Sequence, residues 1–245
     1  MAMKSKVLIV GGTGYLGKRL VKASLAQGHE TFVLHREEIG VDIEKVQMLL
    51  SFKQQGAHLV IGSFNDHQSL VKVVKLVDVV ICAISGVHIR SHQILLQLKL
   101  VDAIKEAGNV KRFLPSEFGT DPARMENAME PGRVTFDDKM VVRRATEEAG
   151  IPFTYISANC FAGYFLGGLC QPGFILPSRE QVRLLGDGNQ KEQDYAEQVG
   201  LTHYYHVCYE GCLANFEIGD GAEEATKLYP EVKYTTVEEY MTRYL

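Results

Sequence analysis

Short apolar runs recur at intervals along the first two thirds of the chain. The first run, residues 7–10, has no polar position, which is typical of a strand buried on both faces of a parallel sheet. The fourth run, residues 77–84, is equally apolar apart from Asp78. The pattern predicts six strands, at residues 7–10, 31–34, 58–61, 77–84, 112–114 and 153–157.

Segments with apolar residues at helical spacing separate these runs. They predict a helix behind Gly17 and two longer helices at residues 94–104 and 136–149. A further helix should begin near residue 68, capped by Asp66 or Asn65. Strands that alternate with helices in this way predict an α/β fold, a doubly wound parallel sheet with right-handed crossovers. Glycines follow three of the helices as stop signals, at Gly28, Gly108 and Gly150.

Three glycines lie between the first strand and the first helix, at Gly11, Gly14 and Gly17. Gly11 allows a sharp turn, Gly14 lets an anion approach the backbone, and Gly17 lets helix and strand pack closely. The helix behind them presents N–H groups and a partial positive charge to a pyrophosphate. This context predicts a Rossmann, NAD(P)-binding domain over residues 1–157 and a smaller substrate lobe over residues 158–245. A tight turn in another kind of α/β protein is the alternative.

The end of the second strand selects between the two nicotinamide dinucleotides. An acidic residue at this position, about 20 residues beyond the glycines, accepts hydrogen bonds from a ribose 2′-hydroxyl and repels a 2′-phosphate. This sequence has Arg36, a planar cation suited to a phosphate, although Glu37 and Glu38 follow directly. We therefore predict NADPH/NADP+ as the cofactor. A solvated surface arginine is the alternative for Arg36.

Composition and charge narrow the range of partners. The 245 residues carry a formal net charge of −4, so no basic surface would neutralise the phosphates of a nucleic acid. No segment approaches the ~20 apolar residues that span a bilayer, and residues 7–10 are too few for a signal peptide. The five cysteines show no metal-binding spacing. We therefore expect a reduced, cytoplasmic protein with no nucleic-acid or membrane partner.

Chemistry-bearing residues follow the predicted strands at their carboxyl ends, where cofactors lie in doubly wound sheets. Ser116, Glu117 and Phe118 follow the fifth strand and are expected to face the nicotinamide and the substrate. Residues 120–133, rich in Pro, Gly, Met and Asn, should form a loop over the site. We expect His203 to bond a substrate oxygen; a metal site is not expected, because no third ligand lies at a suitable spacing.

Lys139 lies near the start of the helix predicted at residues 136–149. Short-chain dehydrogenases place a Tyr-x-x-x-Lys pair on this helix, but the residue four before Lys139 is Thr135. No tyrosine at that position can therefore protonate a carbonyl oxygen. Near a helix N-terminus and in an apolar pocket, an ammonium loses its proton more readily and can serve as a general base. An exposed lysine paired with Asp137 or Asp138 is the alternative.

Several blocks of the sequence resemble one group of plant enzymes. Residues 114–119, Leu-Pro-Ser-Glu-Phe-Gly, are specific to this group, and the resemblance covers nearly the whole chain. The chain is similar to the pinoresinol–lariciresinol reductases, whose wider group contains the isoflavone reductases and the phenylcoumaran benzylic ether reductases. The blocks that carry the resemblance are residues 11–17, 45–50, 114–119, 136–139 and 215–219, with 97–108 and 228–233 most similar to the lignan reductases.

This resemblance implies an NADPH-dependent reductive ring opening. Lys139 matches the family's catalytic lysine, which removes a proton from the substrate's 4-hydroxyphenyl group. The phenolate then expels the benzylic ether oxygen and leaves a quinone methide, whose benzylic carbon accepts a hydride. The implied substrates are furofuran lignans, with pinoresinol converted to lariciresinol and onward to secoisolariciresinol. An isoflavone or phenylcoumaran substrate is one alternative, and a non-catalytic NADP(H)-sensing regulator is an alternative of another class.

The resemblance also implies further site residues and an assembly. Family members are homodimers, and residues 87–92 are expected to form a partner-facing or lid loop. By matching positions, Thr13, Tyr15 and Leu16 line the pyrophosphate together with the three glycines. The remaining positions carried over are Arg36 and Lys45 for the 2′-phosphate, and Ser85 and Phe161 for the nicotinamide or its ribose.

The chain departs from the family in length. Family members are longer, and the match that runs to Lys191 resumes at Glu192 only beyond further strands and helices of the family. The sequence belongs either to a shortened protein or to a longer one with residues omitted, and we expect omission. The Cα atoms of Lys191 and Glu192 should then lie much farther apart than the ~3.8 Å of a trans peptide.

Overall fold

A parallel sheet forms the centre of the described part of the chain. The computed structural model describes residues 4–84, 93–126, 128–158, 198, 202, 218–219 and 221–242. The order of the strands is β3-β2-β1-β4-β5, and each neighbouring pair is parallel. This order reverses beside β1, which confirms the predicted doubly wound α/β fold. The strands are β1 (Lys6–Val10), β2 (Glu30–His35), β3 (His58–Ile61), β4 (Val79–Cys82) and β5 (Arg112–Leu114).

Helices connect consecutive strands in the manner that a parallel sheet requires. Single 3-10 turns precede α2, α4 and α5, at Glu37–Val41, Gln93–Leu96 and Pro122–Arg124. The helices are α1 (Gly17–Ala26), α2 (Ile43–Gln54), α3 (His67–Val74), α4 (Gln97–Ala107), α5 (Val134–Glu148), α6 (Ala225–Leu228) and α7 (Val237–Met241).

Alternate residues of β1 belong to two separate apolar layers, because successive side chains of a strand point to opposite faces. Leu8 and Val10 pack with buried residues of α3 and α4, whereas Val7 and Ile9 pack with those of α1 and α2. Each of these side chains is at most 5% exposed. Burial of one such side chain stabilises the fold by about 1.5–3 kcal/mol. The sheet therefore has an apolar core on both faces, as its sequence pattern predicts.

The predicted boundary signals act at several helix ends. Asp66 is the N-cap of α3, and its carboxylate accepts a hydrogen bond from the Ser69 backbone N–H at 3.2 Å. The alternative cap, Asn65, is not used. Gly108 ends α4 in the left-handed conformation, with φ of 68°, which glycine adopts without steric cost.

Two strand predictions are corrected by the structure. The fourth strand spans Val79–Cys82 rather than residues 77–84. It begins later because the Val77 N–H donates to the Val74 carbonyl in a turn that follows α3. The sixth predicted strand, residues 153–157, is a single bridge between Phe153 and Phe113. Because β5 is only three residues long, it offers few ladder partners beyond this bridge.

Helix α2 is not predicted by the apolar pattern. Of its twelve residues, only Leu49 and Phe52 are buried. Ile43 and Leu50 are 71% and 52% exposed, so apolar residues occur all round this helix and no clear stripe can be read. Asp42 marks its start, because its carboxylate accepts from the Lys45 backbone N–H at 3.1 Å.

The predicted substrate lobe, residues 158–245, lies largely outside the described residues. The boundary between residues 157 and 158 therefore stays a prediction. Within the part of the chain that the structure describes, no helix is long and apolar enough to cross a membrane.

Candidate active site

The ends of β1 and β4 lie side by side at the carboxyl edge of the sheet. The Ala83 N–H donates to the Val10 carbonyl at 2.8 Å. Gly11 follows β1 with φ of 82°, and a Cβ at this residue would lie 2.7 Å from the Ala83 carbonyl oxygen. The strand order reverses between these two strands, and this is the position at which doubly wound sheets bind their ligands.

The glycines predicted to bind a pyrophosphate bring the start of α1 close to this turn. A Cβ at Gly17 would lie 2.0 Å from the Gly11 carbonyl oxygen, so only glycine allows α1 to pack at this distance. At Gly14 the corresponding distance to the same oxygen is 3.2 Å. Gly12, which the spacing did not single out, is also constrained, because a Cβ there would lie 2.7 Å from the side chain of Val33. The turn is therefore compact and built from backbone.

The N-terminus of α1 is suited to an anion. Its N-cap is Leu16, which has no side-chain oxygen to accept from the first N–H groups of the helix. The first turn contains no acidic residue and carries Lys18 and Arg19, charges that the helix dipole disfavours in the absence of a bound anion. Arg19 stacks on the Tyr15 ring at 4.0 Å. The cradle thus fits the pyrophosphate of a dinucleotide, with Thr13, Tyr15 and Leu16 on the turn that precedes α1.

Arg36 and Lys45 lie after β2, at the position expected for the adenosine ribose. Arg36 comes directly after His35, the last residue of the strand, and is exposed. The Lys45 ammonium lies 2.6 Å from the Asp42 carboxylate, and hydrogen bonds from Lys45 lower the pKa of that carboxyl group. Arg36 is therefore available to a 2′-phosphate, whereas Lys45 would have to exchange its partner.

Ser116 lies in the turn that follows β5, and both of its polar groups have protein partners. Its backbone N–H donates to Gln97 Oε1 at 2.7 Å, and its hydroxyl donates to the Ile84 carbonyl at 2.6 Å. Gln97 is fully buried at the start of α4. These contacts tie the ends of β4 and β5 to α4. The substrate contact expected of Ser116 stays a prediction beside this structural role.

Glu117 is buried in an ion pair. Its side chain is 3% exposed, and its carboxylate accepts hydrogen bonds from Arg143 Nε at 3.0 Å and Nη2 at 2.6 Å. The next residue, Phe118, is 9% exposed and has φ of 45°, a conformation that costs about 1–3 kcal/mol for a side chain of this size. The substrate contacts predicted for Glu117 and Phe118 are untested, but the Glu117 carboxylate already has a cationic partner.

Lys139 contacts the same turn from α5. Its ammonium donates to the Glu117 backbone carbonyl at 2.9 Å and lies 3.8 Å from the position of a Cβ at Gly119. Burial lowers the pKa of Lys139, an effect that Glu117 opposes and Arg143 reinforces. Of the two pairing partners considered in the alternative, Asp137 and Asp138, Asp137 contacts Arg133 instead. The amine is thus partly buried at the carboxyl edge of the sheet and disposed to lose its proton.

Several predicted residues fall outside the described part of the chain. Among residues 4–84, 93–126, 128–158 and the short described stretches beyond them, no group of His, Cys, Asp and Glu is arranged to hold a metal ion. The predictions that lie outside concern Ser85, residues 87–92, Phe161, His203 and the Lys191–Glu192 pair.

Sequence reasoning missed the residues that support the site. Arg143 and Gln97 are recognised only from their contacts with Glu117 and Ser116. The one available signal was the spacing of Arg143, four residues beyond Lys139, which places both side chains on one helix face. Nothing in the local sequence indicates that Gln97 is buried.

Comparison with known proteins assigns the chain to a family. The sequence pattern of the NmrA-like family matches residues 3–184, well over half of the chain. The chain belongs to the NmrA-like family. Among the most similar relatives is the bifunctional pinoresinol-lariciresinol reductase 2 of Linum usitatissimum, which is 69% identical over 99% of this chain and 94% of that protein. The resemblance to the pinoresinol–lariciresinol reductases is confirmed.

Solved structures agree with this assignment. The structure of AtPrR2 with NADP+ and (+)pinoresinol matches this NmrA-like chain with a TM-score of 0.90 and 48% identity, covering 100% of both chains. NmrA itself, described as a negative transcriptional regulator in complex with NADP, has a TM-score of 0.51 and 16% identity over 63% of this chain and 45% of its own. At that identity the second likeness shows the fold alone.

The relatives carry residues that this chain lacks. The alignment with the Linum usitatissimum protein extends over 310 positions, whereas this chain has 245 residues. The matched segments are therefore separated, in the relative, by residues without a counterpart here. This agrees with the expected difference in length, although Lys191 and Glu192 themselves lie outside the described residues.

Proposed function

We propose that this chain is an NADPH-dependent reductase that opens the benzylic ether ring of furofuran lignans, converting pinoresinol to lariciresinol and lariciresinol to secoisolariciresinol. The observation that carries the proposal is the partly buried Lys139 amine, 2.9 Å from the Glu117 carbonyl at the carboxyl edge of the sheet. The glycine cradle lies at that same edge, and the similar Linum usitatissimum protein is named a bifunctional pinoresinol-lariciresinol reductase.

Lys139 acts as the general base in this proposal. Because burial lowers the pKa of Lys139, a larger share of the amine is neutral at neutral pH, and it accepts the proton of the 4-hydroxyphenyl group. The electron pair of the phenolate then breaks the benzylic carbon–oxygen bond, and the oxygen leaves as an alkoxide that becomes an alcohol on protonation. NADPH supplies the hydride that the resulting quinone methide requires at its benzylic carbon.

The activity is tested with racemic pinoresinol and NADPH. We expect loss of NADPH absorbance together with chromatographic appearance of lariciresinol, followed by secoisolariciresinol. Isoflavone and phenylcoumaran substrates, measured in parallel, test the alternatives within the enzyme class. Cofactor binding without turnover of any of these substrates would contradict the proposal and support the NADP(H)-sensing regulator.

The Lys139→Ala substitution tests the assigned base. We expect loss of turnover by about 100-fold or more, since general base catalysis contributes 10²–10⁴-fold, with the Kd for NADPH changed by less than about twofold. Lys105→Ala, at an exposed position of α4, is the matched control and should retain activity. A Lys139→Ala variant that turns over pinoresinol at the original rate would exclude this mechanism.

Further features extend the proposal beyond the described residues. The resemblance supports a homodimer, which light scattering coupled to size-exclusion chromatography would measure, and the composition supports a cytoplasmic location, which a fluorescent fusion would show. Limited proteolysis tests the domain boundary after residue 157.

We further propose that Ser85 and Phe161 lie near the nicotinamide and that His203 bonds a substrate oxygen. Alanine variants of Ser85 and Phe161 should raise the KM for the cofactor, and an alanine variant of His203 should raise the KM for the substrate.

A further inference from the structure

Arg143 lies one helical turn beyond Lys139 on α5, and its guanidinium has several partners. The two residues lie four apart on α5, so their side chains leave the helix on one face. Besides its two hydrogen bonds to Glu117, the guanidinium places Nη1 2.9 Å from the Asp121 carboxylate. The Tyr155 ring covers its face at 4.3 Å. A planar cation with this many contacts has a fixed position.

Glu117 joins Arg143 to Lys139 through two different groups. Its carboxylate receives the Arg143 hydrogen bonds, and its backbone carbonyl receives the Lys139 N–H. That carbonyl also accepts from the Gly119 N–H at 2.6 Å, in a tight turn that contains the positive φ of Phe118. Such a backbone persists only where its surroundings hold it. The side chain of Glu117 is the anchored end of this turn.

We propose that Arg143 is a positioning residue for Lys139 and acts through Glu117. By holding the carboxylate, it fixes the carbonyl that receives the lysine N–H and so aims the amine at the carboxyl edge of the sheet. This inference rests on the proposed function, in which Lys139 is the base. Arg143 itself makes no contact with the reacting atoms in this arrangement.

The same pair of residues sets the charge around the amine. Burial is the main cause of the lowered pKa of Lys139; Glu117 raises this pKa and Arg143 lowers it. Removal of Glu117 should therefore lower the pKa of Lys139, and removal of Arg143 should raise it. A role confined to folding would give no such opposition of sign.

Other charged groups near Lys139 already have partners or face solvent. Asp121 pairs with Arg143 and with Arg124, the latter at 3.4 Å. The turn Gln93–Leu96, which packs against α5, has no charged side chain. Asp138 precedes the lysine on its own helix. The charged residues of α4, which also packs on α5, are exposed: Lys99, Asp102, Lys105 and Glu106.

The test compares three single variants by pH-dependent labelling of the Lys139 amine, with peptide mass spectrometry as the readout. Glu117→Gln should lower the pKa of Lys139, and Arg143→Gln should raise it. Arg144→Gln is the matched control, since Arg144 is the next residue of the same helix but is exposed, and its loss should leave the titration unchanged because water and salt screen its charge. This measurement does not require turnover, so it tests the inference even if the proposed function fails.

Two more variants separate charge from geometry. Arg143→Lys keeps the charge but loses the two-pronged contact with the carboxylate. It should leave the titration of Lys139 near that of the wild type while kcat for pinoresinol falls about tenfold or more, as a displaced catalytic group produces. The double variant Glu117→Gln/Arg143→Gln removes both charges, so no unpaired carboxylate remains buried and the variant can be measured even if Arg143→Gln fails to fold. Its Lys139 titration should return toward that of the wild type.

Kinetics complete the test. In Arg143→Gln the low-pH limb of kcat should move to higher pH, and in Glu117→Gln to lower pH, with the Kd for NADPH changed by less than about twofold in both. The inference is overturned if the two variants move the titration in the same direction, or if Arg143→Lys keeps full kcat. If Lys139→Ala retains turnover while these shifts occur, the assigned base is wrong but the positioning of the amine stands.

Discussion

Lys139 combines a polar contact with a desolvated charge, and this combination has a cost in stability. The ammonium donates to the Glu117 carbonyl, and burial lowers its pKa from the ordinary 10.5. A group whose pKa is lower in the folded state binds fewer protons there than in the unfolded chain, so stability rises with pH across the interval between the two values. The residue proposed for catalysis is therefore expected to destabilise the fold at neutral pH.

Lys139→Met should make the protein more stable while removing its activity. At about pH 7 we expect a gain of about 1 kcal/mol in the free energy of unfolding, typical of a functional group replaced by a packed apolar one. The gain should shrink as the pH rises through the lowered pKa of the folded state toward 10.5 and beyond, because the wild-type amine then loses its charge first in the folded and then in the unfolded state. Urea unfolding at about pH 7 and about pH 10, with Lys105→Met as the surface control, measures the effect; a gain that does not change with pH would contradict this account.

At the scale of elements, the contact between α1 and the turn after β1 depends on the absence of a side chain. Gly17→Ala places a Cβ 2.0 Å from the Gly11 carbonyl oxygen, so backbone must move. We expect a loss of about 2 kcal/mol or more in stability, as for other overpacked positions, and at least about tenfold weaker NADPH binding. Chemical denaturation and cofactor titration measure the two effects.

Gly40→Ala is the matched control for this substitution. Gly40 lies in the turn Glu37–Val41, and a Cβ there would meet no atom within 4 Å. Its stability should change by less than about 0.5 kcal/mol. Equal losses in the two alanine variants would show that α1 does not need its close approach to the turn.

The start of α3 depends on one side chain. Asp66 caps the helix through the Ser69 N–H, whereas Asn65 contributes only its backbone N–H, which donates to the Ser63 hydroxyl. Asp66→Ala should cost about 1 kcal/mol of stability, and Asn65→Ala less than about 0.5 kcal/mol. Thermal unfolding of both variants distinguishes them, and a larger loss for Asn65→Ala would contradict the observed cap.

At the scale of the whole molecule, the cradle joins β1, α1 and β4, so a ligand bound there should stabilise the sheet as one unit. With NADPH at about 100 times its Kd, linkage gives about 2.7 kcal/mol, or a rise in Tm of about 5–10 °C for a chain of this size. NADH should raise Tm less, because it lacks the 2′-phosphate expected to contact Arg36. Arg36→Ala should abolish that difference in a thermal-shift experiment; a difference that survives would assign the phosphate to another residue.

Much of this molecule follows from local pattern. Because strand and helix each have their own period, the apolar runs predicted β1, β2, β3 and β5 near their observed positions. The observed β4 is shorter than the predicted one. The pattern failed at α2, where Ile43 and Leu50 are exposed, and at residues 153–157, where a three-residue neighbour limits pairing. In both cases tertiary contacts, rather than periodicity, decide the outcome.

The resemblance to the lignan reductases indicated Lys139 as the proposed reactive amine. By itself the sequence determined the doubly wound fold and the position of the glycine cradle. These features depend on residues close together in the chain. Only the tertiary structure decided the surroundings of the Lys139 amine. The amine contacts Glu117, and Glu117 in turn pairs with Arg143 across a separation of 26 residues. Burial of an ion pair depends on how β5, its following turn and α5 pack, and no local spacing encodes that packing.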